Sequence, residues 1–417
     1  MACALCHYPY FTKEEKKIII VDAAVPNPFD DFKDKTTIPD QRVVSLTFSS
    51  ARLLREMGVW DLLNKDRIGE IRQMQVWEAG GKGHMKFNDN PETKLLGYTI
   101  ENKHLIAALH HRLKELGNCE LEFPQKITNF SVEPNSWARL TLEKKGDITA
   151  RLAIGSDGPN SIVKKKAGIP SWGWSSDQFG IVCTIKTSYP TRTAWQRFMT
   201  TGPIAILPLW DEYCSIVWSC EPSLHEHLMK LPEEEFVNEL NNALSRNSFL
   251  DTPNFVFNRA DFEHPPVVLQ ICNKRMSFPL RFQQANRYVD NRVALIGDAA
   301  HNVHPLAGQG LNLGLTDAAI LANTIVKNLK AGLDIGDVNL LQDYEYKAKV
   351  INYAFMGIME SLKRSYEAND FDPFIFARNI STAILNNLNP VKSFIVQFAN
   401  GYLFHPEKYE WKESRKF

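Results

Sequence analysis

The sequence has no excess of charge of either sign: 48 Lys+Arg stand against 48 Asp+Glu in 417 residues, and the pI is near 7.2. That balance removes the electrostatic case for nucleic acid as the main partner. No apolar run approaches the roughly 20 residues that a bilayer-spanning helix needs. Cysteine is sparse and odd in number, seven residues scattered from Cys3 to Cys272. This excludes a disulfide framework and fits a reducing compartment. No internal repeat and no low-complexity tract is present. There is no arginine before Arg42, and Glu14, Glu15, Asp22, Asp30 and Asp31 make the N-terminal region acidic. That is the wrong sign for a mitochondrial presequence, and the basic flank and long apolar stretch of a secretory signal are missing too. Cys3-Ala-Leu-Cys6-His7 has the spacing of covalent haem attachment. That attachment would need an export route, and zinc would need a second ligand pair; neither is supplied, so no metal is expected.

A glycine-rich dinucleotide turn is also lacking. Lys16-Lys17-Ile18-Ile19-Ile20-Val21-Asp22 reads as a short buried parallel strand ending in an acid. In a dinucleotide-binding fold, an acid at the end of the second strand hydrogen-bonds the adenosine ribose. The preceding strand and its G-x-G-x-x-G would lie about 20 residues upstream, where there is no room for them. Met1 to Leu5 has the texture of a helix end. A 3-2-1-4-5 sheet is therefore expected without its first strand, leaving two neighbours with unpaired edges and no helix terminus for the pyrophosphate.

What is present alternates between helical and strand texture. After a polar, Pro- and Asp-rich loop over Pro26 to Asp40, a helix is expected with Ser49 or Ser50 as cap and Leu53, Leu54, Met57 and Trp60 on one face. Trp77 to Asn90, with Gly80, Gly81 and Gly83, suggests a hairpin, and Leu105, Leu109, Leu113 and Leu116 recur at helical spacing. From Trp172 to Asn286 the chain turns β-rich and aromatic; Cys214, Ile216 and Trp218 alternate as on a half-buried strand. Arg292 to Ile296 returns as a buried strand, and Leu311, Leu315, Ala318, Ala322, Ile325 and Leu329 mark a long helix. The expected division is a discontinuous first domain over 1–70, 98–170 and 287–335, a β-rich domain over 71–97 and 171–286, and a helical region over 336–417.

The most informative segment runs from Gly297-Asp298-Ala299-Ala300-His301 through His304-Pro305 to Gly308-Gln309-Gly310-Leu311-Asn312. It reads as strand, turn, glycine-rich loop and helix start. Asp298 at the strand end can accept hydrogen bonds from sugar-type hydroxyls. Gly308 and Gly310 allow close approach of a flat ligand. The free amides and dipole of the next helix favour developing negative charge. These are the requirements of a reduced flavin ring. A lone His beside a helix start is more often packed and hydrogen-bonded, so neither His301 nor His304 is assigned as a base.

The segment resembles the signature of the class A flavoprotein monooxygenases, the para-hydroxybenzoate hydroxylase fold, and within them the UbiH-type ubiquinone-biosynthesis hydroxylases. Gly155-Ser156-Asp157-Gly158-Pro159-Asn160-Ser161 is similar to that superfamily's Asp-Gly motif, with Lys164 where an arginine is usual. Ala194-Trp195-Gln196-Arg197-Phe198 and Gly202-Pro203-Ile204-Ala205-Ile206-Leu207-Pro208 resemble the mitochondrial ring C5-hydroxylases of coenzyme Q biosynthesis, as do the weaker matches Arg42-Val43-Val44-Ser45 and Glu101-Asn102. The resemblance implies an α/β, Rossmann-like FAD-binding fold with an inserted β-rich substrate domain and C-terminal helices. It implies FAD as cofactor, with Asp22 on the adenosine ribose, Arg42 near the pyrophosphate, and Asn102, Asp157 and Gly158 along the cofactor. Gly297 and Asp298 would lie at the ribityl chain, and Pro305, Gly308, Gln309, Gly310, Leu311 and Asn312 at the isoalloxazine.

Because the cofactor carries the hard step, no catalytic side chain is assigned. The implied reaction is hydroxylation, with O2, of a polyprenylated 4-hydroxybenzoate at carbon 5. Trp195, Arg197 and Phe198 are candidate substrate contacts beside an apolar channel for the tail, with ordinary core packing an equal reading for each. The implied electron source is ferredoxin with its reductase, or NADPH. The implied setting is the coenzyme Q biosynthetic complex, in peripheral contact with the matrix side of the mitochondrial inner membrane. Two other readings stay open: another aromatic hydroxylase or reductase of the same fold, and a non-catalytic subunit. Without the glycine-rich turn, the chain is expected to bind FAD more weakly than relatives that have it.

Overall fold

A computed structural model describes residues 1–12, 17–35, 38–79, 84–87, 95–133, 136–245, 263–302, 308–367 and 409–415. The chain opens on a short helix, α1 (Ala2–Leu5), with Cys3, Ala4 and Leu5 buried. The β-branched run that follows forms β1 (Ile18–Val21). It pairs in parallel with a later strand over Cys119–Glu122, yet its four residues are half-buried rather than buried. The cause is lateral: among the described residues β1 has a neighbouring strand on one side only.

β2 (Val43–Leu46) leads into α2 (Phe48–Glu56). This helix starts earlier than its serines suggest. Thr47 is the cap, its hydroxyl oxygen accepting from the Ser50 amide at 3.2 Å, while Ser49 and Ser50 lie inside the first turn. A threonine hydroxyl accepts from the orphan amide in the same way as a serine hydroxyl. Then come β3 (Ile68–Ile71), β4 (Gln73–Glu78), β5 (His84–Phe87) and β6 (Gly97–Glu101). β2, β6 and β3 make a small antiparallel sheet. α3 (Asn102–Leu116) buries Leu105 and Leu113 and delivers β7 (Cys119–Glu122), the partner of β1. A meander of β8 (Ile127–Val132), β9 (Ala138–Leu142) and β10 (Gly146–Ala150) precedes β11 (Ala153–Gly155) and α4 (Ile162–Lys166).

The β-rich region builds one large sheet from β12 (Ser171–Thr187), β13 (Thr193–Phe198), β14 (Ile204–Pro208), β15 (Tyr213–Cys220), β16 (Val268–Ile271) and β17 (Met276–Ala285). Helices α5 (Pro222–Lys230) and α6 (Glu233–Ser245) cover it. β4 joins it through a parallel pairing with β13, and β4 with β5 forms the expected hairpin at its edge; Gly80, Gly81 and Gly83 lie outside the described residues. Its core contains Trp77, Ile181, Trp195, Ile206, Trp218 and Phe236.

β18 (Val289–Asp290) and β19 (Val293–Leu295) then carry the chain back, β19 pairing in parallel with β11. β20 (His301–Asn302) is the last strand among the described residues, followed by α7 (Gly310–Lys330) and α8 (Val338–Glu367). A second core joins Leu54, Ile100, Leu295 and Leu321 to Tyr344, Ile351 and Phe355 of α8, and to Trp411. The described part of 336–417 therefore packs into the same core as the first elements of the chain. The apolar stripe from Ile384 to Phe398 lies outside the described residues. All seven cysteines are free thiols. Among the described residues no helix is long and apolar enough to cross a membrane, and no group of side chains forms a metal site.

Candidate cofactor site

The strand β19 is three residues of Val-Ala-Leu, all buried, and it ends against α8, where the Tyr344 hydroxyl donates to the Leu295 carbonyl at 2.6 Å. A single 3-10 turn over Gly297–Ala299 follows and presents Asp298 at the surface. Desolvation by the surrounding protein raises the Asp298 carboxyl above its ordinary pKa, and His301 opposes it. β20 then pairs with β17, Gln284 opposite His301 and Gln283 opposite Asn302. The His301 ring is buried, with Nε2 2.6 Å from Asp317 Oδ2. It is a packed, hydrogen-bonded residue, as expected. His304 and Pro305 lie outside the described residues.

Helix α7 spans 21 residues, with Gln309 at the N-cap position, and among the described residues no side chain caps its first turn. The leading amides of such a helix have no intrahelical acceptor, and the dipole gives that end partial positive charge. Gly308 precedes it with φ +59, and a Cβ there would come within 3.3 Å of the Ser45 side chain. The helix start is thus drawn against β2. Asn312 explains how. Its Oδ1 accepts from the Thr47 amide at 3.0 Å, and its Nδ2 donates to the Ser45 carbonyl at 2.9 Å and the Gly308 carbonyl at 3.2 Å. The amide group of Asn312 is buried and committed to protein partners. It shapes the site, while the main-chain N–H groups around it are what the helix start offers to a ligand.

Arg42 and Asn102 meet at the other end of β2, where the Asn102 amide donates to the Arg42 carbonyl at 3.0 Å. The Arg42 side chain is exposed. Because Arg42 directly precedes β2, and Asn312 clamps β2 to α7, Arg42, Asn102, Gly308 and Asn312 belong to one connected unit. Asp22 lies elsewhere, exposed beyond the end of β1, its Oδ1 accepting from the Ala24 amide at 2.9 Å. Asp157 and Gly158 follow β11. The Asp157 carboxylate accepts from the Ile162 amide at 2.7 Å, which ties it to the start of α4. Lys164 is 6% exposed and donates to the Pro159 carbonyl and to Gln283 Oε1, at 3.3 and 3.4 Å; burial lowers its pKa. It thereby bridges α4 to the strand that pairs with β20.

Trp195, Arg197 and Phe198 are all buried on β13. Trp195 sits in the core of the large sheet, its Nε1 donating to the Glu263 carbonyl at 3.4 Å. Arg197 is 2% exposed and donates from Nη1 to the Ala243 carbonyl of α6 at 2.7 Å. A cavity of about 710 Å3 opens between β3, β6 and the turn after β14, walled by Trp60, Ile68, Tyr98, Leu209 and Trp210, and none of the three β13 residues lines it. Sequence reasoning misses Asp317, although a signal for it exists: it is the only acid in α7, set within an otherwise apolar stretch.

The residues present fit the flavin half of FAD. An uncapped helix start, a glycine in close approach, an exposed acid at the preceding strand end and an exposed arginine lie around one β2–α7 unit. A model of an FAD-binding domain matches residues 33–356. The chain is 34% identical over 427 residues to the mitochondrial ubiquinone biosynthesis monooxygenase COQ6 of Xenopus tropicalis, covering 96% of this chain and 90% of that protein. It is 33% identical over 428 residues to the human COQ6, covering 96% and 89%. Among solved structures, its fold is similar to PqsL, a probable FAD-dependent monooxygenase from Pseudomonas aeruginosa, with TM-score 0.69 and 18% identity over 91% of this chain and 96% of that one. It is also similar to the p-nitrophenol 4-monooxygenase PnpA from Pseudomonas putida DLL-E4, with TM-score 0.67 and 17% identity over 96% and 95%. With a family match over most of its length and relatives one-third identical across nearly all of it, the chain belongs to the FAD-dependent flavoprotein monooxygenases.

Proposed function

We propose that this monooxygenase hydroxylates, at carbon 5, the aromatic ring of a polyprenylated 4-hydroxybenzoate in ubiquinone biosynthesis. The COQ6 relatives support the pathway. The single structural observation that carries the site reading is the uncapped start of α7, clamped to β2 by Asn312 and flanked by exposed Asp298. In this reading Asp298 holds the ribityl hydroxyls and the amides of Gly310 to Asn312 meet the electron-rich pyrimidine edge. Arg42 lies at the pyrophosphate, Asp22 at the adenosine ribose, and Asn102, Asp157 and Gly158 along the cofactor. Bound FAD would supply the activation of O2, and O2 itself would supply the oxygen atom transferred to the ring. The chain's own residues bind and orient the cofactor and ring, and keep water from the reacting edge.

Electrons come from ferredoxin with its reductase, or from NADPH. The place of work is the matrix face of the mitochondrial inner membrane, within the coenzyme Q biosynthetic complex. A surface suited to peripheral lipid contact is available: Trp172 and Trp174 are 44% and 43% exposed, and Trp174 stacks on Phe282 with ring centroids 4.3 Å apart. Tryptophan favours the headgroup region of a bilayer. The test is complementation of a hydroxylase-null strain, with analysis of the products formed by the purified chain from a prenylated hydroxybenzoate. A 5-hydroxylated product with rescue supports the proposal. Hydroxylation of unprenylated aromatics alone would assign another hydroxylase of this fold, and a chain that turns over nothing and leaves the null strain unrescued would assign a non-catalytic subunit.

A further inference from the structure

Behind the turn that presents Asp298 lies a buried polar cluster to which α7, α8 and the end of the large sheet all contribute. Asp317 of α7 is 1% exposed. One of its oxygens, Oδ2, accepts from two donors of the turn, the Gly297 amide at 2.9 Å and His301 Nε2 at 2.6 Å. Its other oxygen accepts from Asn352 Nδ2 of α8 at 3.3 Å. Asn352 also donates to the Tyr288 hydroxyl at 3.2 Å, and that hydroxyl accepts from Gln284 Nε2 at 2.6 Å. All of these side chains are buried.

The arrangement is specific in one respect. The two donors that converge on Oδ2 come from the residue just before Asp298 and from the residue three after it. A single buried oxygen therefore closes the turn from behind, while the Asp298 carboxylate stands on its exposed side. An ionised carboxylate is expensive to bury and is tolerated only when its lone pairs are well occupied. An apolar side chain at 317 would have filled the space without joining the two ends of the turn. The two hydrogen bonds to Oδ2 thus secure a backbone geometry, and the part of the backbone they secure is the part that carries Asp298.

We propose that Asp317 is a positioning residue for FAD: by clasping Gly297 and His301 it sets the turn so that Asp298 faces the ribityl hydroxyls. The proposal rests on the assignment of Asp298 to the cofactor. It says that Asp317 and Asp298 act on affinity through one another, and that His301 serves as one arm of the clasp.

The experiment is a double-mutant cycle read as FAD dissociation constants, by quenching of flavin fluorescence, for the wild-type chain, Asp298→Ala, Asp317→Ala and the pair. Each single change is expected to weaken FAD by about tenfold or more, and the pair by little more than the weaker-binding single variant, a coupling of about 1.4 kcal/mol or more. Losses that multiply would overturn the proposal, since a residue that merely stabilises the fold acts independently of Asp298. An unchanged affinity for Asp317→Ala would overturn it as well. If Asp317→Ala does not fold, His301→Gln, which keeps the Gly297 arm, goes through the same cycle: coupled losses support the clasp, and losses that multiply overturn it. A wild-type chain that fails to quench flavin fluorescence would instead overturn the cofactor assignment, and this proposal with it.

Discussion

Arg67 and Glu101 form a two-point ion pair inside the protein, Nε to Oε2 and Nη2 to Oε1, each at 2.9 Å, with both side chains 3% exposed or less. The pair is a hub. Glu101 Oε1 also accepts from the Asp40 amide, and Arg67 Nη1 donates to the carbonyls of Asp31 and Asp34. It therefore pins the loop that leads to Arg42 onto the sheet of β2, β6 and β3. Burial raises the Glu101 carboxyl, and the Asp40 amide and Arg67 work against that shift.

Removing one partner leaves the other charge buried without compensation. Glu101→Leu is expected to destabilise the protein by about 3–5 kcal/mol. The midpoint of thermal unfolding reports it. A variant that melts with the wild type would show that the hub contributes nothing to the fold.

A pH dependence follows from His104. Its ring is 1% exposed, stacks on Phe32 and accepts from the Asn64 amide at Nε2, 3.2 Å away. Burial, with Arg67 and Lys65 adding to it, lowers its pKa from 6.5 to about 4. A lowered folded-state value means that the unfolded chain takes up the proton first. Stability is therefore fully present above pH 6.5 and falls as pH drops towards 4, by up to about 3 kcal/mol from this group. Denaturation midpoints measured between pH 7 and pH 4.5 should show the slope, and His104→Gln should flatten it. Equal slopes in the two proteins would remove His104 as the cause.

Much of this is legible in the sequence because it depends on near neighbours. The β-branched run at 18–21, the strand at 293–295 and the helix opening near Gly310 all carry their own periodicity and turn residues. The aromatic, alternating stretch that forms the large sheet does so as well. What stays hidden depends on contacts between distant residues. Asn312 meets Ser45 across 267 positions, and Asp317 meets Asn352 across 35. Periodicity marks Asn312 only as a polar residue near a helix start. Nothing local says that its side chain will be spent on β2 and on the Gly308 carbonyl. Trp195 and Phe198 show the converse. Aromatic residues near a motif look like a substrate wall, yet β13 buries all six of its residues, with Trp195 in the core of the large sheet.

Gly69 holds two sheets of the molecule at a fixed distance. It lies on β3, where a Cβ would come 2.1 Å from the Pro208 carbonyl oxygen and 2.9 Å from the Leu209 Cα. Both are backbone atoms and neither can rotate away. Gly69→Ala must therefore push β3 from the end of β14, and a loss of about 1–3 kcal/mol, typical of overpacking, is expected. Reduced soluble yield and a lower melting midpoint would report it, and an alanine variant indistinguishable from wild type would mean that β3 and β14 are not so closely apposed.

Asn312 allows a sharper test, because two substitutions at one position should differ for a stated reason. Asn312→Ala removes one acceptor and two donated hydrogen bonds, stranding the Thr47 amide and the carbonyls of Ser45 and Gly308. Buried groups without partners cost about 1–3 kcal/mol each when water cannot replace the lost bond. The expected result is a loss of about 2–4 kcal/mol in stability, together with weaker FAD binding as the α7 start comes away from β2. Asn312→Asp keeps the shape and still accepts from Thr47, but it turns an oxygen toward two carbonyl oxygens. Unless that oxygen is protonated, the contact becomes repulsive. Aspartate is therefore expected to bind FAD no better than alanine at pH 7.5 and to recover in part at pH 5.5, where protonation restores one donor. Comparing FAD dissociation constants for the three proteins at the two pH values decides it. An aspartate variant that matches wild type at pH 7.5 would show that the two carbonyls do not depend on the Asn312 amide, and that another contact sets the start of α7.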